Sequence, residues 1–293
     1  CTAPLVLAPA MDTDMWENPI TQANIQALRE RGAVIVGPGY GRLASGRIGA
    51  GRLVATEEIL GAIRQTLGRK GPLMGARLVV TAGGTQEPLD PVRHLTNRSS
   101  GKMGYALAEA ARDAGAQVTL ITAPTALSAP YGVERVPVRT AAEMEVAVLG
   151  RLAETDILLM AAAVADYRPK VTAAQKIKKG EGPLTLELEK TADILAEVAQ
   201  RRPSVGRPLV VVGFAAETEH LFENAAAKMQ AKRLDLMVAN DVSSPDSGFE
   251  VDTNRVILLT SDGGQETLPL MSKADVAEHI IARVAEMWRR IHG

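Results

Sequence analysis

Cysteine is almost missing from this chain: Cys1 is the only one in 293 residues. An intrachain disulfide and a cysteine-built metal site are therefore excluded, and the usage fits a reducing compartment. Aromatic residues make up only 3%. The core must then be built from Ala, Val, Leu and Ile, which suits parallel strands buried on both faces by helices. No apolar run reaches the roughly 18–20 residues of a membrane-spanning helix, and nothing near the start reads as a signal peptide. Neither sign of charge dominates, with 33 basic residues against 34 acidic ones. A duplex-binding surface driven by overall charge is excluded, while local basic clusters are not. His94, His220, His279 and His292 are scattered without ligand spacing, so no zinc site is expected. The chain starts at Cys1 rather than Met, and residues 4–8 already read as interior strand. The expected N-terminus is a cut inside a larger protein.

What is present is an apolar fraction of 46% in a chain long enough for one large or two ordinary domains. Residues 5–8 read as a short strand, 20–31 as a helix ended by Gly32, and 33–36 as a strand. Residues 37–53 hold Gly37, Gly39, Gly41, Gly46, Gly49 and Gly51, a density expected to exclude regular structure and to permit close approach to a ligand. Residues 56–67 read as a helix with Thr56 as its N-cap. The Gly/Pro/Lys-rich stretch 68–75 is the expected linker between units 1–69 and 70–293.

The second unit alternates strands and helices. Strands are expected at 78–82, 117–122, 156–161, 184–189, 209–213 and 236–239. Helices are expected at 102–114 with Gly115 at C′, 141–154, 193–201, 221–232 and 273–290. A hairpin over 255–268 turns at Asp262-Gly263-Gly264 and offers a mixed sheet edge. A glycine-rich first crossover in such a pattern predicts an α/β fold with a doubly wound, mostly parallel, Rossmann-like sheet.

The most informative run is LVVTAGGTQEPLDPVRHLTNRSSGKMG, residues 78–104. It reads as a buried strand, a long loop and a helix start, the junction at which backbone N–H groups hold an anion. Gly83 and Gly84 follow the strand, but the spacing is not G-x-G-x-x-G, and an insertion of this length tends to be functional. The loop carries Arg93, Asn97, Arg98, Ser99 and Ser100. Ser99 and Ser100 are expected to cap the helix. Lys102 falls in its first turn, where the macrodipole disfavours a cation unless an anion neutralises it. A solvated lysine is the plainer alternative.

A second constellation is MAAAVADYRPKVTAAQKIKKG, residues 160–180. The small residues Ala161 to Ala163 leave room for a flat ring against the backbone. Asp166, at the carboxyl end of a strand, is placed to hold Mg²⁺ through phosphate oxygens. Lys176, Lys178 and Lys179 read either as a solvated charge run or, behind that Asp, as a triphosphate site. Lys228 and Lys232 share one helix face at i, i+4. Phe214 follows a buried strand and either stacks on a base or belongs to the core.

TAGGTQEPLDPVRHLTNRSSGKMGYALAEAA, AAAVADYRP, QKIKK, GFAAET and DLMVANDV, in that order, resemble the bacterial phosphopantothenate–cysteine ligase family of coenzyme A biosynthesis. The stretch before Gly68 resembles the end of the flavodoxin-like, flavin-dependent phosphopantothenoylcysteine decarboxylase fused to that ligase. The resemblance implies that CTP activates the carboxylate of 4′-phosphopantothenate as an acyl-cytidylate, and that L-cysteine displaces CMP to form an amide. It implies a cytoplasmic homodimer, Mg²⁺ with CTP, and FMN in the full-length parent, with no nucleic-acid or membrane partner.

Carried over residue by residue, Asn97 handles the oxyanion and the intermediate. Asp166, Lys176, Phe214, Lys228 and Lys232 contact CTP, together with Met160, Ala161, Ala162 and the segment Ala192, Asp193, Ile194, Leu195. Family members carry Asn-Pro-Asp-Ile where this chain has Thr191-Ala192-Asp193-Ile194. Arg93 serves the phosphopantothenate side or a dimer-completed site, and Lys102 is a further positive contact. In the decarboxylase remnant, Asp12 stands where an Asn holds the substrate carboxylate, and Ser45 where the proton-donor Cys is usual. A serine is a much weaker acid than a thiol, and an ionised Asp12 repels a carboxylate, so no decarboxylation is expected. Two other readings are an NAD(P)-dependent oxidoreductase and a non-catalytic flavin- or nucleotide-binding module. The missing dinucleotide spacing and the KIKK run weigh against the first.

Overall fold

A computed structural model of the chain describes residues 3–179, 182–217, 221–241 and 251–292. Cys1, Gly180, His220 and Val242, each part of the sequence reading above, lie outside the described residues.

The central element is an eight-stranded sheet. Its order runs Glu134–Pro137, Gln117–Thr122, Arg77–Ala82, Ile157–Met160, Val210–Glu217, Leu236–Asp241, Val256–Thr260, Gln265–Thr267. All neighbours from the first to Leu236–Asp241 are parallel, and the last two strands join antiparallel as the expected hairpin. Arg77–Ala82 is the first sheet strand in the chain, and strands are added outward on one side before the chain returns to the other. The reversal point therefore lies between Arg77–Ala82 and Ile157–Met160, the place where a doubly wound sheet opens a crevice at its carboxyl edge.

Side chains alternate between the two faces of each strand. Leu78, Val80 and Ala82 enter one core with Leu107, Ala108 and Ala111 of helix Lys102–Asp113 and with Val276, Ile280 and Val284 of helix Lys273–His292. Val79 enters the other with Met144 and Val148 of helix Ala141–Leu149, Ile194 and Val198 of helix Ile194–Val205, and Ala225 of helix Leu221–Ala231. With few aromatics, the close fit relies on small residues. A Cβ at Gly104 would lie 2.5 Å from the Ala82 Cβ and 2.8 Å from the Thr81 carbonyl oxygen, so this glycine sets how near the Lys102 helix lies to its strand.

The glycine-dense stretch 37–53 departs from expectation. Gly39–Arg42 and Ile48–Arg52 pair as an antiparallel ladder. Ladder hydrogen bonds need no side chain, and at Gly51 the missing side chain admits the protein's own backbone. A Cβ at Gly51 would sit 2.1 Å from the Met11 carbonyl oxygen, and Met11 N–H donates to the Gly51 carbonyl at 2.9 Å. Thr56 is the first helical residue rather than the cap. The N-cap is Ala55, and no side chain caps it. The expected helix over 141–154 ends at Leu149 and gives way to a 3₁₀ turn at Leu152–Glu154. The expected strand at 184–189 shortens to Leu188–Lys190. The helix expected to end at 201 runs through Pro203 to Val205 and closes on Gly206 with φ 71°. Within the stretch 68–75, Leu73 is fully buried, and its N–H donates to the Ala114 carbonyl at 2.9 Å.

Candidate functional site

At the reversal point the two loops leaving Arg77–Ala82 and Ile157–Met160 are stitched together. Ala163 N–H donates to the Gly83 carbonyl at 2.9 Å, and Thr85 N–H to the Ala163 carbonyl at 3.3 Å. The Thr81 hydroxyl accepts from Ala162 N–H at 3.1 Å, and the Thr85 hydroxyl from Ala165 N–H at 2.9 Å. Asn97 donates through Nδ2 to the Val164 carbonyl at 3.1 Å, which ties the glycine-rich loop to the small-residue segment. A Cβ at Gly84 would lie 2.6 Å from the Asn97 carbonyl oxygen, so that close approach requires glycine.

Above this seam opens a cavity of about 890 Å³. From the glycine-rich loop, Asn97, Ser99, Ser100 and Lys102 line it. From the second loop come Met160, Ala161, Ala162 and Asp166, and from the start of the following helix Ala192, Asp193, Ile194 and Leu195. Phe214, Lys228 and Lys232 close the far side. Phe214 packs against the core and also lines the cavity.

Each charged group has a defined setting. Asp193 caps its helix, accepting from Ala196 N–H at 3.1 Å, and its other oxygen lies 3.0 Å from Lys232 Nζ. Lys102 meets Asp252 at 2.5 Å, and the ammonium group holds that carboxyl below its ordinary pKa. The anion that offsets Lys102 at the helix start is thus the protein's own carboxylate. The N-cap residue is Gly101, with φ 77°, rather than a serine, but the Ser99 and Ser100 hydroxyls accept from the N–H groups of Gly101 and Lys102 at 3.4 and 3.5 Å. The glycine frees the chain to turn there, where a β-carbon would meet Thr125 at 2.7 Å.

Gly83, Gly84, Arg93 and Lys176 are not among the cavity-lining residues. The two glycines lie in the seam beneath. Arg93 pairs with Asp90 and donates to the Ile177 carbonyl at 3.0 Å. Lys176 is exposed on the same loop. Among the described residues no group of three or more His, Cys, Asp or Glu side chains could hold a metal on its own. A single carboxylate such as that of Asp166 suits a hard cation that keeps its waters and is shared with phosphate oxygens.

Sequence reasoning missed Asn240, Asn254 and Lys273, which also line the cavity. Asn254 is 4% exposed, and its Oδ1 has no hydrogen-bond partner among the described residues. Lys273 opens the last helix, and burial pushes its ammonium pKa down, with Lys102 adding to the effect. Asn254 and Lys273 lie far along the chain from the glycine loop, and no local spacing marks either as a site residue.

In the N-terminal part, the two positions that depart from the family pattern touch each other. The Ser45 hydroxyl donates to Asp12 Oδ2 at 2.5 Å, and Arg47 lies 3.4 Å from Asp12 and 2.6 Å from Asp14. The serine bond first, then the Asp14 N–H, lowers the Asp12 pKa.

Residues 73–287 match the family described as DNA/pantothenate metabolism flavoprotein C-terminal domain, and residues 1–68 match the flavoprotein family. The chain is 44% identical over 289 residues to the Coenzyme A biosynthesis bifunctional protein CoaBC of Bacillus subtilis (strain 168), across 98% of this chain and 70% of that protein. It is 47% identical over 291 residues to the protein of the same name from Mycobacterium tuberculosis (strain ATCC 25618 / H37Rv), across 95% and 69%. The crystal structure of the C-terminal domain of a Coenzyme A biosynthesis bifunctional protein CoaBC resembles it with TM-score 0.64 and 38% identity, over 75% of this chain and 99% of that one. The parallel sheet, the seam at its reversal point and this likeness over nearly the whole length agree: the chain belongs to the DNA/pantothenate metabolism flavoprotein family.

Proposed function

We propose that this chain joins 4′-phosphopantothenate to L-cysteine in coenzyme A biosynthesis, using CTP, and works as a homodimer in the cytoplasm. The observation that supports this most is that Asn97, Asp166, Phe214, Lys228 and Lys232, from separate segments, line one cavity at the carboxyl edge of the sheet. Nothing in a dinucleotide oxidoreductase needs that combination of a carboxylate, paired lysines and an amide beside small residues.

In this reading the flat floor of Ala161 and Ala162 takes the cytosine, with Phe214 beside it. Lys228 and Lys232 gather the phosphates, Lys232 exchanging its Asp193 partner for them, and Lys102, already paired with Asp252, contributes only where it gives up that carboxylate. Asp166 would hold Mg²⁺ together with phosphate oxygens, and the ion when bound would supply charge stabilisation for the leaving pyrophosphate. The phosphopantothenate carboxylate attacks the α-phosphorus; the new P–O bond forms as the bond to pyrophosphate breaks. The cysteine amine then attacks the acyl carbon, the C–O bond to CMP breaks, and the amine proton passes to solvent. Asn97 has an amide beside that carbon to steady the oxyanion.

Residues 1–68 match the flavoprotein family, and FMN belongs to the full-length parent in this reading. The strands described there, Val6–Leu7 with Val34–Ile35 and Gly39–Arg42 with Ile48–Arg52, are short pairs, and no step of the ligation runs through a flavin.

The test is Asn97→Ala. It is expected to bind CTP with little change in affinity and to lose amide formation by about a hundredfold, the scale for removing one oxyanion donor. Turnover at the wild-type rate would remove Asn97 from the chemistry.

A further inference from the structure

The peptide of Ile177, between Lys176 and Lys178, is gripped from both sides by one ion pair. Its N–H donates to Asp90 Oδ2 at 3.1 Å, and its carbonyl accepts from Arg93 Nη2 at 3.0 Å. The pair is itself fixed. Arg93 Nε donates to the same Asp90 oxygen at 3.0 Å, and Asp90 Oδ1 accepts from the N–H groups of Val92 and Arg93 at 2.9 Å each. Asp90 is 3% exposed.

The hairpin that carries this pair, Gln86–Pro88 with His94–Thr96, is anchored at its base. Buried Glu87 accepts from Ala141 N–H at 2.9 Å, at the start of a core helix, and Gln86 N–H donates to the Arg139 carbonyl at 2.8 Å. The lysine-bearing loop lies along the same hairpin: Ala173 N–H donates to the Leu89 carbonyl at 3.0 Å, and the Thr172 hydroxyl to the Pro88 carbonyl at 3.1 Å.

The way the loop is held matters chemically. Lys176, Lys178 and Lys179 repel one another, and such a run left to itself stays solvated. A carboxylate that paired with the ammonium groups would pin the run but cancel the charge a phosphate needs. Asp90 and Arg93 together are neutral, and they hold the uncharged backbone between two of the cations. The loop is fixed while its lysine charges stay available.

We propose that Asp90 and Arg93 are positioning residues: by clasping the Ile177 backbone they hold the loop of Lys176, which lies outside the cavity lining, against the hairpin that leads into cavity-lining Asn97, so that its lysines stay within reach of a bound nucleotide triphosphate. This rests on the ligase reading above and gives Arg93 a role separate from substrate contact.

Asp90→Asn and Arg93→Gln, each in the full chain, test it. Trypsin cleavage after Lys176 and Lys178 is expected to speed up by about tenfold as the loop opens more often. The KM for CTP is expected to rise by about as much, with the KM values for phosphopantothenate and cysteine unchanged. Arg93 is half-exposed, so its variant is expected to fold even if Asp90→Asn does not. Unchanged trypsin cleavage in the variant would overturn the clasp. A raised KM for phosphopantothenate alone would make Arg93 a substrate contact and overturn the positioning role. Faster cleavage with every KM unchanged would overturn the link to the nucleotide. Lys176→Ala separates the two layers: an unaltered KM for CTP there refutes the ligase reading's use of Lys176, whatever the clasp does.

Discussion

Lys232 Nζ lies 3.0 Å from Asp193 Oδ2, while the other oxygen of the same carboxylate caps the helix that begins at Ile194. One side chain thus ties a cavity lysine to a helix start. The two duties can be separated. Asp193→Ala loses both and is expected to lower stability by about 1 kcal/mol, the usual worth of an N-cap. Asp193→Asn keeps a capping oxygen, so its denaturation midpoint stays near wild type. Because both variants release Lys232, both are expected to shift the KM for CTP. A midpoint that falls equally in the two would show that the cap is not what Asp193 contributes.

Ser45 and Asp12 form a second such pair, with a different consequence. The hydroxyl steadies the ionised carboxylate, with Arg47 3.4 Å away, so an ionised Asp12 is expected to disfavour the carboxylate that a decarboxylase must bind. The purified chain is expected to release no carbon dioxide from phosphopantothenoylcysteine. Carbon dioxide from the unaltered chain, measured by trapping, would contradict this.

Gly104→Ala tests how closely the cavity depends on backbone contact. The added methyl meets Ala82 and the Thr81 carbonyl, both parts of a central strand that cannot yield. A loss of about 1–3 kcal/mol in chemical denaturation is expected, as for overpacked cores. The helix start that carries Lys102 should be displaced as well, with a higher KM. A variant as stable as wild type would mean that the Lys102 helix is less tightly seated on the sheet.

The Asp90 clasp predicts a pH dependence of defined sign. The Arg93 guanidinium, helped by the N–H groups of Val92 and Ile177, holds the Asp90 carboxyl far below the ordinary carboxylate range. A carboxyl lowered in the folded state stabilises the fold above its unfolded pKa of about 4, and that contribution is lost as pH falls through the lowered native value. The stability gap between wild type and Asp90→Asn is therefore expected to be level from about pH 8 to about pH 5 and to narrow below about pH 4. A gap that widens on acidification would have the wrong sign.

The fold was legible where pattern and burial agree. The strand expected at 117–122 is found at those residues, and the last helix starts at Lys273 as expected, because long apolar periods with clear stops leave little choice. The hairpin at Asp262-Gly263-Gly264 was legible from its turn. The ladder at Gly39–Arg42 and Ile48–Arg52 was not, since glycine density reports conformational freedom and says nothing of which backbone comes to pair. The site divides in the same way. Asp166 stood out at a strand end, Lys228 by its i, i+4 pairing with Lys232, and Asn97 by its loop and the family resemblance, and the fold brings them to one cavity. Asn254 and Lys273 were invisible because only the tertiary fold carries them there. Lys102 looked as though it awaited an external anion, yet its partner is Asp252, 150 residues away.

The central claim is that one cavity gathers a nucleotide triphosphate and a carboxylate for acyl transfer. Its most direct measurement is pyrophosphate release by the purified chain with Mg²⁺. The account predicts sustained release only when CTP, 4′-phosphopantothenate and L-cysteine are all present. Sustained release without phosphopantothenate, or none with the full set, would contradict it.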